Sequence, residues 1–112
     1  AVLMSKIRHR RYDDVKAMLA SGVDTETRDE FGNTLLMLAA QAGSKRMCKI
    51  LLRERADLNA QNDKGNTALH FCHAFNYREL AEYLCSKGGD EGLRNHAGLT
   101  CLEGLEEAHK GK

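Results

Sequence analysis

KGNTALHFCHAF, residues 64–75, decides how the rest of the chain is read. Taken alone it sets two histidines and a cysteine, His70, Cys72 and His73, within four positions, and that density invites a metal or a nucleophile. Shifted by 33 residues in either direction, the same frame returns as FGNTLLM at 31–37 and AGLTCLE at 97–103. Gly32, Gly65 and Gly98 coincide, as do Thr34, Thr67 and Thr100, and Leu36, Leu69 and Leu102. Asp24, Asp57 and Asp90 form a further column. Several columns sharing one period mark a repeat array, so each residue of the opening stretch has to be compared with its counterparts before chemistry is assigned to it.

Each period reads as two short amphipathic helices. Thr34 to Ala42 is an apolar run bounded by a threonine N-cap and by Gly43, and Met47, Ile50 and Leu51 follow at helical spacing. Leu80, Tyr83 and Leu84 repeat this in the next period, and Val15, Met18 and Leu19 in the first. A pair of such helices cannot hide its apolar face alone, so neighbours must stack. Gly32, Gly65 and Gly98 fall where a turn needs positive φ. The threonines cap the helix that follows, and Thr100 with Glu103 makes a capping-box pattern, which accounts for Glu103 without catalysis.

Composition narrows the function classes. At 112 residues, 42% apolar and 29% charged, with a mean hydropathy of -0.52, the chain reads as one soluble domain. No apolar window reaches the length of a membrane span, and AVLMSKIRHRR meets charge too early for a signal peptide. The net charge of +1 supplies no global attraction to nucleic acid, although residues 1–28 carry six basic and four acidic groups and residues 79–112 seven acidic and four basic. Cys48, Cys72, Cys85 and Cys101 form no C-x-x-C pair, so reduced thiols in an intracellular, cytoplasmic setting are expected.

TALH at 67–70 and ADLNAQN at 56–62, on the 33-residue period, resemble the ankyrin repeat. The resemblance covers nearly the whole chain. It implies an all-α solenoid of stacked helix-turn-helix units with β-hairpin-like fingers, a single domain over 1–112 with partial repeats at 1–28 and 95–112 and complete ones at 29–61 and 62–94. The departures are specific. There is no proline, so Leu35, Ala68 and Cys101 take the second motif position, and Met37 and Glu103 replace the histidine that His70 retains. Arg55 stands where Gly22 and Gly88 end their helices, and an arginine tolerates a left-handed cap poorly. The ends should close the core through Leu3, Ile7, Val15, Met18 and Leu19 on one side and Leu102 with Leu105 on the other, with Gly104 weakening the last helix.

In this frame His70 takes the family's histidine position, which implies bonds to neighbouring backbone and to Thr67. Cys72 aligns with the small Ala39, and His73 puts a larger polar group where the previous repeat has Ala40. His70 and His73 share a helical face, but no third or fourth ligand stands out, and no metal, cofactor or catalytic residue is assigned. Asp13-Asp14 and Glu106-Glu107 read as solvated surface, and GGDEG at 88–92 lacks the Lys-Ser/Thr of a phosphate loop.

The resemblance also implies a concave recognition face of finger tips and first helices: Arg28, Glu30, Phe31, Asn33, Gln41 and Ala42, then Asp63, Lys64, Asn66, Ala74 and Phe75, then Arg94, His96, Ala97 and Leu99. Phe31 and Phe75 are two of only three phenylalanines. They are either exposed anchors for a partner or they fold back, Phe31 over its finger and Phe75 onto Phe71 or Tyr77. Three readings follow: a non-catalytic module binding another protein, a regulatory or spacer arm docking on its own parent chain, or a basic surface for acidic lipid or nucleic acid. The third would use Lys6, Arg8, Arg10 and Arg11 with Lys45, Arg46, Lys49, Arg53 and Arg55, and it is disfavoured because no aromatic platform is evident among them. The first residues, AVLMSK, and an ending soon after the last repeat begins suggest a piece of a longer protein. Nothing in the sequence indicates an oligomer.

Overall fold

The computed structural model describes residues 2–105. They form α1 (Val2–Arg8), α2 (Tyr12–Ala20), α3 (Leu35–Gln41), α4 (Lys45–Arg53), α5 (Ala68–Ala74) and α6 (Arg78–Ser86), with no strand among them. The all-α repeat array read from the sequence is the observed one. α1 packs on α3 and α3 on α5 as an inner row, while α2 packs on α4 outside it.

The sequence of each helix matches its place in that array. α3, LLMLAAQ, lies between two inner neighbours and under α4, so Leu35 through Ala40 are all buried. Burying each of its leucines contributes roughly 1.5–3 kcal/mol before entropy is counted. α4 has one neighbourless side. Met47, Cys48, Ile50 and Leu51 face inward and Lys45, Arg46, Lys49 and Arg53 face out. At the N-terminal end Leu3, Ile7, Val15 and Leu19 are buried and Met18 packs against the core, as the cap reading requires.

Helix starts are fixed by side-chain acceptors. Thr34 Oγ1 accepts from the Met37 N–H at 3.2 Å, Ser44 Oγ from Met47 at 3.1 Å and Thr67 Oγ1 from His70 at 3.4 Å. Helix exits repeat a left-handed column in which Gly22 and Gly88 take φ of 106° and 110° while Arg55 takes 65°. The strain anticipated at Arg55 is therefore present.

Between helix pairs the chain makes three similar fingers, closed by Asp29 N–H to Asn33 O at 3.0 Å, Asn62 to Asn66 at 2.9 Å and Asn95 to Leu99 at 2.9 Å. The hairpin likeness is limited to this turn and one isolated antiparallel bridge, Arg28 to Thr34. Gly65 turns the second finger with φ of 80°, and a Cβ there would lie 2.8 Å from the His96 backbone nitrogen. The aspartate column has its own cause. Asp24, Asp57 and Asp90 each accept a hydrogen bond from the N–H two residues on, at 2.8, 3.0 and 2.8 Å.

The C-terminal end departs from expectation. Residues 101–103 make a turn rather than a helix, and Gly104 has φ of 126°. The Glu103 carboxylate takes its place in the anticipated capping box, accepting from the Thr100 N–H at 2.8 Å. Leu102 is 67% exposed and caps nothing, whereas Leu105 packs against the core. The chain is drawn in instead by Asn95, whose Nδ2 donates to Gly104 O at 3.3 Å and Leu105 O at 2.7 Å. Glu106-Glu107 lies outside the described residues.

Candidate interaction surface

The fingers are joined edge to edge by a ladder of side-chain amides. Asn62 Nδ2 donates to Asn33 Oδ1 at 2.8 Å, and one finger later Asn95 Nδ2 donates to Asn66 Oδ1 at 2.7 Å. Backbone bonds run alongside, from Asp63 N–H to Phe31 O at 3.1 Å and from His96 N–H to Lys64 O at 2.9 Å. Below them the Arg28 guanidinium donates to Gly32 O and Gln61 O, both at 2.8 Å, and Gln61 Nε2 donates to Gly65 O and Arg94 O, both at 2.9 Å. Every finger is thus held by its own turn and by its neighbour, which makes the edge stiff before any ligand arrives.

This ladder corrects two of the expected contact residues. Asn33 and Asn66 are 8% and 3% exposed and spend their amides inside the array. Glu30, Asp63, Lys64, Ala74 and His96 stand exposed, Gln41 and Leu99 are half-buried, and Arg28 and Arg94 are exposed but committed to finger carbonyls. Phe31 and Phe75 are 63% and 47% exposed. Phe75 also stacks against Phe71 with centroids 6.4 Å apart and meets Tyr77 edge-on at 6.1 Å, so it is both supported and open to solvent. Gln41, Lys64 and Phe71 line one shallow groove with Asn62 and Leu105.

The basic surface does not merge into one patch. Lys6 and Arg11 pair with Asp14 at 3.0 and 3.1 Å, Arg8 with Asp29 at 3.7 Å, and Arg10 donates to Ala42 O at 2.6 Å. The expected lack of an aromatic platform is also corrected. Arg46 lies 4.4 Å over the Tyr12 ring, and Lys45, Lys49 and Lys87 surround the Tyr83 ring at 5.0, 5.5 and 5.7 Å. Tyr83 and Lys87 face Lys49, Leu52 and Arg53 across a cleft between α4 and α6. Sequence spacing could not find this site, because Lys87 follows α6 and the other two lysines lie on α4.

The family model for ankyrin repeats, in three copies, matches residues 3–95. The chain belongs to the ankyrin-repeat family. Among its relatives, human SH3 and multiple ankyrin repeat domains protein 2 is 37% identical over 65% of this chain and 4% of that protein. Mouse neurogenic locus notch homolog protein 1 is 34% identical over 70% of this chain and 3% of its own length. BRCA1-associated RING domain protein 1 of Caenorhabditis elegans is 32% identical over 92% of this chain and 15% of its own length. The chain thus spans a small part of each. Ankyrin repeats are generally non-catalytic protein-interaction modules, and no helix among the described residues is long and apolar enough to cross a membrane.

Within this ankyrin array the opening cluster divides. His70 is structural: its Nδ1 bonds Thr67 Oγ1 at 2.9 Å and its Nε2 meets Leu99 O at 2.9 Å, joining α5 to the third finger. Burial lowers its pKa below the ordinary 6.5, against the opposing bond to Leu99. Cys72 is fully buried and burial pushes its thiol up to about 12, the behaviour of a small apolar residue rather than a nucleophile. His73 has a different environment. Its Nε2 is buried without a hydrogen-bond partner, 3.8 Å from the Glu91 carboxylate, and its ring shares a group with Glu91 and Cys101 whose ligand atoms all lie within 4.8 Å of one another. The sequence reading set His73 beside His70 and had no means of seeing Glu91, from the end of the same repeat, or Cys101, from the following one.

Proposed function

We propose that the chain is a non-catalytic recognition module that binds another protein through its finger tips and inner helical face, with Phe31 and Phe75 as anchors. The supporting observation is the exposure of these two phenylalanines, 63% and 47%, on an array whose remaining aromatics are at least half-buried. Exposed aromatic side chains on a preorganised edge are the usual carriers of interface energy. Glu30, Asp63, Lys64 and His96 supply the polar rim, and the groove lined by Gln41, Lys64 and Phe71 supplies depth. The partner is a separate protein or another segment of the same polypeptide. Four free thiols fit a reducing intracellular compartment.

Capture of cross-linked partners from cell extract tests this, using the wild type and a Phe31→Ala/Phe75→Ala variant matched by circular dichroism. A protein recovered with the wild type and at least tenfold depleted with the variant supports the reading; undiminished recovery overturns it. A second reading rests on Lys45, Lys49 and Lys87, which surround Tyr83 and form no ion pair among the described residues. That arrangement suits an anionic ligand, and salt-sensitive binding of phosphoinositide vesicles, lost in Lys49→Glu/Lys87→Glu, would favour it.

A further inference from the structure

Glu91 is the residue that gives His73 a context. His73 lies on α5, Cys85 in the last turn of α6, Glu91 in the connection that follows, and Cys101 beyond the third finger. One ligand atom each of His73, Glu91 and Cys101 lie within 4.8 Å of one another, the His73 Nε2 stands 3.8 Å from a Glu91 carboxylate oxygen, and Cys85 lines the same pocket as His73 and Glu91. A buried imidazole nitrogen with no partner is costly to leave unmade, and nothing in the described protein satisfies this one. Arg78 and Glu82 stand exposed at the rim with opposite charges, so the rim adds no net repulsion toward a cation.

We propose that His73, Glu91 and Cys101, completed by Cys85, bind a zinc ion. One imidazole nitrogen, one carboxylate oxygen and two thiol sulfurs make the mixed, borderline-soft donor set that suits tetrahedral Zn²⁺ and disfavours hard cations such as Mg²⁺ or Ca²⁺. Metal–ligand bonds of about 2.0–2.3 Å put tetrahedral ligand atoms roughly 3.3–3.8 Å apart, so the His73, Glu91 and Cys101 atoms draw together by about 1 Å on binding and Cys85 turns in from the wall of the same pocket. Glu91 is free to make that movement, its side chain being 49% exposed.

Binding is a ligand exchange without redox chemistry. Each thiol loses its proton to solvent as a sulfur–zinc bond forms, and His73 binds as the neutral imidazole. The ion would therefore be taken up with release of two protons and lost on acidification. Its position gives it a structural role. Beyond Cys101 the array makes one turn and no helix among the described residues, and a metal tying α5, α6 and that turn together would replace the missing packing.

The full chain, kept reduced, is melted with and without one equivalent of Zn²⁺, and Co²⁺ is added separately as a spectroscopic probe. Wild type and the control His96→Ala, which alters an exposed fingertip, are expected to gain several degrees in melting temperature with Zn²⁺ and to show a thiolate-to-cobalt charge-transfer band. His73→Ala and Glu91→Gln are expected to lose the zinc shift, Cys101→Ser to weaken the band and Cys85→Ser/Cys101→Ser to abolish it. Glu91→Gln changes a surface side chain, so a folding defect in the other variants leaves the test intact. No zinc shift and no band in the wild type would overturn the proposal, as would an equal response in Glu91→Gln.

Discussion

At the scale of single residues, the left-handed position at Arg55 is a strain with a simple remedy. Its φ of 65° matches a column otherwise held by Gly22 and Gly88, and no hydrogen bond or ion pair of its side chain holds it there among the described residues. Arg55→Gly is expected to raise stability by about 0.5–1 kcal/mol, and an unchanged or lower urea midpoint would contradict the argument. His70 yields a pH dependence. Its folded pKa lies below the 6.5 of the free side chain, chiefly through burial. Below pH 6.5 the unfolded chain therefore takes up a proton that the native state refuses, so stability falls as the pH drops from 6.5 toward the folded value and levels off beneath it. The urea midpoint should decline over that range, and His70→Gln should flatten the decline. His70 was legible from its motif. His73 was not, because its partners lie 18 and 28 residues further along the chain, beyond any helical spacing.

At the scale of elements, the fingers owe more to side chains than to backbone pairing. Asn62 Oδ1 accepts from the Lys64 and Asn66 N–H groups at 3.0 and 2.9 Å while its Nδ2 reaches Asn33. Asn62→Ala is expected to cost about 1–3 kcal/mol, because it leaves groups in a half-buried turn without partners. Asn62→Asp should cost less, since a carboxylate keeps both acceptor bonds and Asp29 already fills the equivalent place in the first finger. Urea midpoints in the order wild type, Asp, Ala would bear this out; equal midpoints for Asp and wild type would show that the amide bond between fingers contributes nothing. The helices and their caps were legible from apolar spacing and threonine placement. The ladder was not, because asparagine in a turn looks the same in sequence whether it faces a ligand or a neighbouring finger. Among the described residues no helix follows Thr100, and the physical reason is that Gly104 leaves the right-handed region just where a second turn would begin.

At the scale of the whole molecule, the period of 33 residues carried the architecture, since a repeat unit that cannot bury its own face leaves stacking as the remaining solution. The period could not say which surfaces stay open, because exposure depends on how adjacent repeats meet. It left the basic residues as one stripe, where the structure divides them into a neutralised N-terminal group and a cation-rich cleft around Tyr83. That cleft has a mechanical consequence. The finger edge is stapled at every step by amide and backbone bonds, whereas α4 and α6 face each other across open space lined by Lys49, Leu52, Arg53, Tyr83 and Lys87. A rod hydrogen-bonded along one edge and held along the other by lysine–ring contacts yields most readily by a change of curvature. Whatever wedges or draws together the outer helices would therefore widen or narrow the span between finger tips on the opposite side, making the array a lever whose fulcrum is its row of asparagines.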